Sequence, residues 1–105
     1  GHHAGPHNYG GYCYVNNVVI AAKMMQARGY RVAVLDVDYH GGDGTLKFNL
    51  PLFVSINTPG DYPYVDMGKH GLLLQPGKGW TEYHEVLQRV LVEWHGCVDI
   101  LIVSL

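Results

Sequence analysis

Residues 31–45 read RVAVLDVDYHGGDGT, and this stretch decides the fold. It opens on a short apolar, β-branched run, which is typical of a strand buried on both faces of a parallel sheet. The run passes directly into polar residues and a glycine-rich turn, HGGDGT. In open parallel sheets, ligands bind just beyond the carboxyl ends of the strands. The stretch therefore predicts both a buried strand and the position of a site.

A helix pattern precedes this strand. Residues 18–28, VVIAAKMMQAR, are apolar nearly all round. Asparagine is a preferred N-cap and glycine commonly follows a helix C-terminus, so we expect a buried helix from Asn16 or Asn17 to Arg28, closed by Gly29. Its two methionines are expected to fill the core.

Further strand and helix patterns follow this first strand. LFVSIN at 52–57 predicts a second strand, and an irregular loop is expected from Thr58 to about Gly79. A helix is expected from about Thr81 to Trp94, because apolar residues recur there every three or four positions. VDILIVSL at 98–105 predicts a third buried strand. Alternating helices and strands indicate an α/β fold with a layered parallel sheet.

The composition argues against two classes of partner. Only 15% of the 105 residues are charged, and the net charge of -2 comes from scattered groups that form no basic stripe for nucleic acid or anionic membranes. The first residues, GHHAGPHNYGG, have neither the basic nor the apolar region of a signal peptide, and no apolar run reaches about 18 residues, so we expect a soluble, cytoplasmic protein. Cys13 and Cys97 are expected to be buried free thiols.

Asp36, Asp38 and His40 recur every second residue at the predicted strand end. This period places three side chains on one side of an extended backbone, where they would converge. Carboxylate and imidazole groups are ordinary zinc ligands, and a catalytic zinc site takes three protein ligands and keeps one position open. The residues alone leave another interpretation open, in which the aspartates cap the next turn and His40 is exposed.

His2 and His3, with His7 close behind, form a second cluster in a glycine-rich loop. Histidine suits general acid and base catalysis because its ordinary pKa lies near neutrality. Taken alone, the pair fits an expression tag or a solvated loop equally well.

Several motifs in order carry a resemblance to a known family. The chain contains GHHA at 1–4, GGYCYVNNVVIAA at 10–22, VAVLDVDYHGGDGT at 32–45, VSIN at 54–57, YPY at 62–64 and DILIVSL at 99–105. In this order and spacing they resemble the histone deacetylase and acetylpolyamine amidohydrolase superfamily. The Tyr/Pro loop and GLLLQPGKGW at 71–80 look closer to its bacterial, polyamine-type branch. The resemblance implies an α/β fold of the arginase/deacetylase type and disfavours the tag interpretation.

The resemblance also implies roles for individual residues. Asp38 and His40 match two of the three zinc ligands. His3 matches the general base that takes a proton from zinc-bound water, and His2 matches its electrostatic partner. The carboxylates that match hydrogen-bond partners of the two histidines are Asp36 for His2 and Asp43 for His3.

Two further groups of positions match the family. Gly11 and Tyr12 match one wall of a narrow channel for an acyl-lysine or acyl-amine, and Tyr62 matches the aromatic residue facing them. The positions that match the surroundings of a structural monovalent cation such as K⁺ are Asp36, Asp38, His40, Ser55 and Ile56.

The resemblance implies zinc-dependent hydrolysis of an acetylated amine, such as acetyl-lysine or an acetylpolyamine, to acetate and a free amine. The chain departs from the family at Gly41, where a second histidine is common, and at Asn17, where aspartate is common. The family's third zinc ligand and its oxyanion tyrosine would follow Leu105. We therefore expect residues 1–105 to be a partial domain, truncated at both ends, that alone binds zinc weakly and turns over poorly.

Two alternatives stay open. The chain can be a non-catalytic fragment or interaction module with an incomplete site, or an arginase-type ureohydrolase that uses two manganese ions. GHHA and GYCYVNN favour the deacetylase side. The exact acyl substrate and homo-oligomer formation are left open by the sequence.

Overall fold

A computed structural model describes residues 1–74 and 79–105 of the chain. In chain order its elements are α1 (Asn17–Ala27), β1 (Val32–Asp36), α2 (Asp43–Leu46), β2 (Leu52–Asn57), a 3₁₀ turn (Gly68–His70), β3 (Gly71–Leu73), α3 (Trp80–Trp94) and β4 (Ile100–Ser104). The strands form one sheet in the order β3-β2-β1-β4, and every neighbouring pair is parallel. The predicted α/β fold with a parallel sheet is confirmed.

β1 lies inside this sheet, and all five of its residues are buried. Its last residue, Asp36, is aligned with Ser55 of β2 on one side and with Ser104 of β4 on the other. The carboxyl ends of three parallel strands therefore meet at one edge of the sheet, as the sequence of β1 predicts.

Helices cover the two faces of the sheet. On one face, α1 packs against β1 and β4, and Val19 and Val34 belong to the apolar cluster there, to which Phe53 of β2 also contributes. On the other face, α3 contributes Val86, Val90 and Trp94, which belong to the apolar stripe that its sequence predicts. This layering holds the carboxyl edge of the sheet in a fixed position.

The predictions of burial on all sides are wrong for α1 and β4. In α1 only Val19 and Ala22 are buried, and Met24, expected in the core, is 52% exposed. β4 is an edge strand whose Leu101 and Val103 are 41% and 47% exposed, because α3 packs mainly over β2 on that side of the sheet. Apolar composition alone does not show which faces a neighbour covers.

Two segments expected to be irregular contain short regular elements. The predicted loop from Thr58 to Gly79 includes the 3₁₀ turn and β3, and the predicted glycine-rich turn includes the helical turn α2. Elements of three or four residues are too short to show a hydrophobic period. Part of the GLLLQPGKGW segment, residues 75–78, lies outside the described residues.

Both cysteines are free, but only Cys13 is partly shielded. Cys97 is exposed, contrary to the prediction, because it lies in the connection after α3, next to Gly96 with its φ of 78°. Within the described ranges, no helix is both long and apolar enough to cross a membrane.

Candidate active site

Two histidine–aspartate pairs lie at the carboxyl edge of the sheet. His2 Nδ1 is 2.7 Å from Asp36 Oδ2, and His3 Nδ1 is 2.6 Å from Asp43 Oδ1. His2 and His3 are buried, and Asp36 is fully buried. An ionised carboxylate only accepts hydrogen bonds, so the Nδ1 of each ring donates to its aspartate and Nε2 is the ring nitrogen that the aspartate does not bind. The pairing that the resemblance implies is present in the structure, and the catalytic roles stay predictions.

Hydrogen bonds from two other elements hold the histidine loop in place. The backbone N–H of Thr45 in α2 donates to His2 O at 3.1 Å. Asn16 Nδ2 donates to Ala4 O and to Thr45 Oγ1, both at 3.0 Å. Asn16 Oδ1 also accepts from Val19 N at 3.2 Å, which is the predicted N-cap.

Asn16 and Thr45 are supporting residues that the sequence analysis missed. The cap pattern identifies Asn16 only as a helix start, and nothing in the sequence links it to a threonine 29 positions away. Both side chains are buried, so their hydrogen bonds satisfy groups that water does not reach.

Gly44 allows α2 to approach the histidine loop closely. A Cβ on Gly44 would overlap the backbone of His3 and Ala4, whereas a Cβ on Gly41 would meet its nearest atoms at 3.5 Å. The atoms that such a Cβ would meet belong to the loop's backbone. A change of side-chain rotamer therefore cannot relieve the overlap.

We expect Gly44→Ala to lower the free energy of unfolding by about 1–3 kcal/mol and to move the His3 ring away from Asp43. Urea denaturation measures the first effect, and histidine NMR shifts measure the second. Gly41→Ala is the matched control, and we expect it to change stability by less than about 0.5 kcal/mol. Equal effects of the two substitutions would contradict the close approach.

Asp38 and His40 converge next to the buried pairs. Asp38 Oδ1 lies 3.5 Å from His40 Nδ1 and 3.5 Å from His2 Nε2. Two donors on a tetrahedral zinc ion are about 3.4 Å apart when each metal–ligand bond is about 2.0–2.2 Å. The separation and the donor types of Asp38 and His40 therefore fit two ligands of one zinc ion.

The turn-capping interpretation holds as well. Asp36 Oδ1 accepts from Asp38 N at 3.1 Å, and Asp38 Oδ1 accepts from His40 N at 2.9 Å. His40 keeps 40% of its side chain exposed. These bonds fix the orientation of both carboxylates and leave Asp38 and His40 accessible, so capping and ligation are compatible.

The charges of the cluster shift two pKa values. Burial acts to raise the pKa of Asp38, but the His40 backbone N–H and the nearby histidines outweigh it, and the pKa lies below its ordinary value. Burial acts to lower the pKa of His2, but its hydrogen bond with Asp36 and the charges of Asp36 and Asp38 raise it overall. Asp38 is therefore anionic at neutral pH, and His2 is held toward its protonated form.

A cavity of about 500 Å³ opens beside these groups and is lined by His3, Gly11, Tyr12, His40 and Tyr62. The Tyr62 ring meets His3 and His40 edge-on, with centroid distances of 5.1 and 5.6 Å. The three residues predicted to form channel walls thus lie around one cavity with the predicted base and one predicted ligand. Their contact with substrate stays a prediction.

The positions predicted to surround a monovalent cation are close to β1. Ser55 and Ile56 are buried in β2, and Ser55 is aligned with Asp36. Ser55 Oγ accepts from Gly42 N at 3.3 Å. In the described residues, no group of three or more His, Cys, Asp or Glu side chains is arranged to hold a metal ion.

Known proteins are similar to this chain in sequence and in fold. The histone deacetylase domain family matches residues 1–54. Acetylpolyamine amidohydrolases 1 and 2 of Pseudomonas aeruginosa are 38% and 39% identical to the chain over all of its length, and the chain covers 36% of each. A probable deacetylase of Archaeoglobus fulgidus is 38% identical over 78% of the chain, and the match covers 21% of that protein. The chain thus spans about a third or less of the curated relatives described here.

Two solved structures superpose on the whole chain. The HDA15 HD domain gives a TM-score of 0.83 at 27% identity, and 37% of that domain's chain is covered. An acetylpolyamine aminohydrolase from Burkholderia pseudomallei gives a TM-score of 0.80 at 31% identity, and 36% of it is covered.

The family match and the site coincide. Residues 1–54 contain both histidine–aspartate pairs together with Asp38 and His40. The matches to acetylpolyamine amidohydrolases extend over the remainder of the chain. The chain therefore belongs to the histone deacetylase and acetylpolyamine amidohydrolase superfamily, on its bacterial branch.

Proposed function

We propose that the chain provides part of the active site of a zinc-dependent amidohydrolase that hydrolyses an acetylated amine. The observation that carries the proposal is the grouping of two buried histidine–aspartate pairs with Asp38 and His40 around one cavity. The family to which the chain belongs consists of deacetylases and amidohydrolases, as the names of its relatives state. The names of the bacterial relatives favour an acetylpolyamine over acetyl-lysine as substrate.

Asp38 and His40 would hold the zinc ion. The 3.5 Å between Asp38 Oδ1 and His40 Nδ1, and the lowered pKa of Asp38, support this assignment. When bound there, zinc would polarise the amide carbonyl and lower the pKa of a water molecule. A catalytic zinc site takes three protein ligands, so we propose that Asp38 and His40 are two of them. A K⁺ ion near Asp36, Ser55 and Ile56 would support the same edge of the sheet.

His3 would move the proton. Asp43 holds its Nδ1, and the ring lines the cavity, so Nε2 is the nitrogen available to accept a proton from water and return it to the leaving amine. His2, held toward its charged form by Asp36, would stabilise negative charge that develops beside it.

Tyr12 and Tyr62 would contact the methylene stem of the substrate. An alkyl chain has no groups for hydrogen bonding, so aromatic contact area is the main recognition that these walls can give it. Both side chains line the cavity that His3 and His40 share.

Acetate release by a graft tests the proposal. The graft is Pseudomonas aeruginosa acetylpolyamine amidohydrolase 1 in which the 105 residues of this chain replace the segment that they match. We expect the folded, zinc-loaded graft to release acetate from an acetylpolyamine, and Asp38→Ala to remove most of the bound zinc and the activity. The 105-residue chain alone is expected to show negligible turnover. A folded, zinc-loaded graft without activity would contradict the proposal.

A further inference from the structure

A tight turn at residues 10–13 lies beside the predicted base. Gly10 N donates to Cys13 O at 3.2 Å, and Cys13 N donates to Gly10 O at 2.8 Å. The two central residues, Gly11 and Tyr12, both have positive φ angles, of 53° and 63°. Positive φ at both central positions is the mark of a type I′ turn, the usual turn of a two-residue β-hairpin. The backbone of the turn is therefore held in one conformation by its two mutual hydrogen bonds.

Tyr12 adopts this conformation without packing its ring against the described part of the protein. The left-handed region is unfavourable for a residue that carries a Cβ. Tyr12 is fully exposed, so burial of the ring does not offset the strain. Strained backbone of this kind is found mostly at active sites and ligand sites. The strain indicates that the shape of the turn itself is needed, and Gly11 makes a contact that depends on this shape.

Gly11 lies against the imidazole ring of His3. A Cβ on Gly11 would overlap Cδ2 of this ring and would lie 2.6 Å from its Cγ. The backbone of Gly11 and the ring are thus in direct contact, with no room for a methyl group between them. A larger residue at position 11 must displace either the ring or the turn.

The contact with Gly11 supplies a restraint that the hydrogen bond of His3 does not. Nδ1 of His3 is bonded to Asp43, which fixes one atom of the ring. The torsion that orients a histidine ring has only broad preferences, so the ring plane is set by what touches it. The ring of His2 lies at a centroid distance of 4.1 Å and that of Tyr62 at 5.1 Å, and Gly11 adds a third contact. The contact with Gly11 is made by backbone, so it is the least adjustable of the three.

We propose that Gly11 is a positioning residue that fixes the ring plane of His3 and so aims Nε2 at the reacting water. The inference rests on the proposed function, in which His3 is the base. Gly11 acts through His3, because the absence of a side chain lets the turn press its backbone against the ring. A base must lie within hydrogen-bond reach of the proton that it takes, so a displaced ring should slow the chemical step. A channel wall alone would need no contact between Gly11 and the base.

Gly68 offers a matched control for the backbone strain that alanine introduces. Its φ is 56°, against 53° for Gly11, so alanine meets similar strain at both positions. Among the described residues, a Cβ on Gly68 would meet no heavy atom within 4 Å. Gly10 is a second control, in the same turn, where a Cβ would lie 3.9 Å from His3 O, an ordinary contact. The difference between Gly11→Ala and these two variants therefore isolates the contact with the His3 ring.

The first readout uses NMR of the 105-residue chain without ligand or metal. In the unsubstituted chain, we expect strong contacts between the α protons of Gly11 and Hδ2 of His3, and their absence would overturn the inference. This measurement does not depend on the folding of any variant. Gly11→Ala should weaken the contacts between the rings of His3 and Tyr62, and Gly10→Ala and Gly68→Ala should preserve them. An undisturbed His3 ring in folded Gly11→Ala would also overturn the inference.

The second readout is the kinetics of acetate release from N-acetylputrescine by the graft. We expect Gly11→Ala to lower kcat about ten- to a hundredfold, the cost of a misplaced reacting group, and to leave KM within about twofold. Gly10→Ala and Gly68→Ala should keep both constants within about twofold. A raised KM with unchanged kcat would overturn the positioning role and leave Gly11 as a channel wall. A displaced His3 ring with unchanged kcat would contradict the proposed role of His3 as base instead.

Discussion

His3→Ala in the graft is expected to lower the rate of acetate release by at least about a hundredfold, the lower end of the usual contribution of a general base. His3 is the cavity-lining histidine whose Nδ1 is held by a carboxylate, at 2.6 Å from Asp43. Alanine leaves the attacking water without a proton acceptor. Zinc content should stay nearly unchanged, because Asp38 and His40 are the proposed ligands.

His7→Ala is the control for that experiment. His7 lies in the same N-terminal loop and is exposed. We expect the control to keep more than about half of the activity, since surface substitutions usually have small effects. An active His3→Ala graft, or equal losses in both variants, would contradict the role of His3 as base.

Asp36→Ala is expected to lower the free energy of unfolding of the chain by about 3–5 kcal/mol, the usual cost of removing one partner from a buried ion pair. Asp36 is 0% exposed, and its oxygens accept from His2 Nδ1 at 2.7 Å and from Asp38 N at 3.1 Å. Its loss leaves His2 buried without its carboxylate and frees the turn that carries Asp38. Urea denaturation measures the effect.

Asp66→Ala serves as the stability control, because Asp66 is an exposed aspartate in a surface turn. We expect it to cost less than about 1 kcal/mol, mainly through its bond to Gly68 N. If Asp36→Ala were no more destabilising than Asp66→Ala, the buried pair would contribute little to folding. The proposed fixed geometry around His2 would then be wrong.

The long elements of the fold could be predicted from the sequence. β1 and β2 are short apolar runs between turn residues, and α3 has a repeating apolar stripe over 15 residues. The start of α1 follows from the capping side chain of Asn16, which the structure shows in place. Each of these signals depends only on neighbouring residues, so it can be identified from one sequence.

Exposure and short elements could not be predicted in the same way. The sequence of α1 is apolar nearly all round, yet Ile20 and Met24 are about half exposed at 49% and 52%. β3 is recognised as a strand through its pairing with β2, in which Gly71 is aligned with Ser55. Its three residues are too few to show an alternating pattern in the sequence. The exposure of α1 and the formation of β3 both depend on which elements pack beside them in the fold. The local sequence does not contain that information.

The candidate site was predictable only in part. The spacing of Asp36, Asp38 and His40 indicates a cluster at a strand end, and the structure brings Asp38 and His40 together. The pairing of His2 with Asp36 spans 34 positions, so it followed from the family resemblance and not from spacing.

Zinc titration of the chain, followed by NMR of its seven histidines, tests the central claim most directly. We expect His40 Nδ1 to show the largest shift, and Asp38→Asn to weaken zinc binding about tenfold or more, because an amide replaces an anionic ligand. His70→Ala, which removes a ring bonded to Phe53 O at 2.8 Å, should leave the titration unchanged. A zinc-induced shift centred on His7 or His70, with His40 unaffected and Asp38→Asn equal to wild type, would contradict the account.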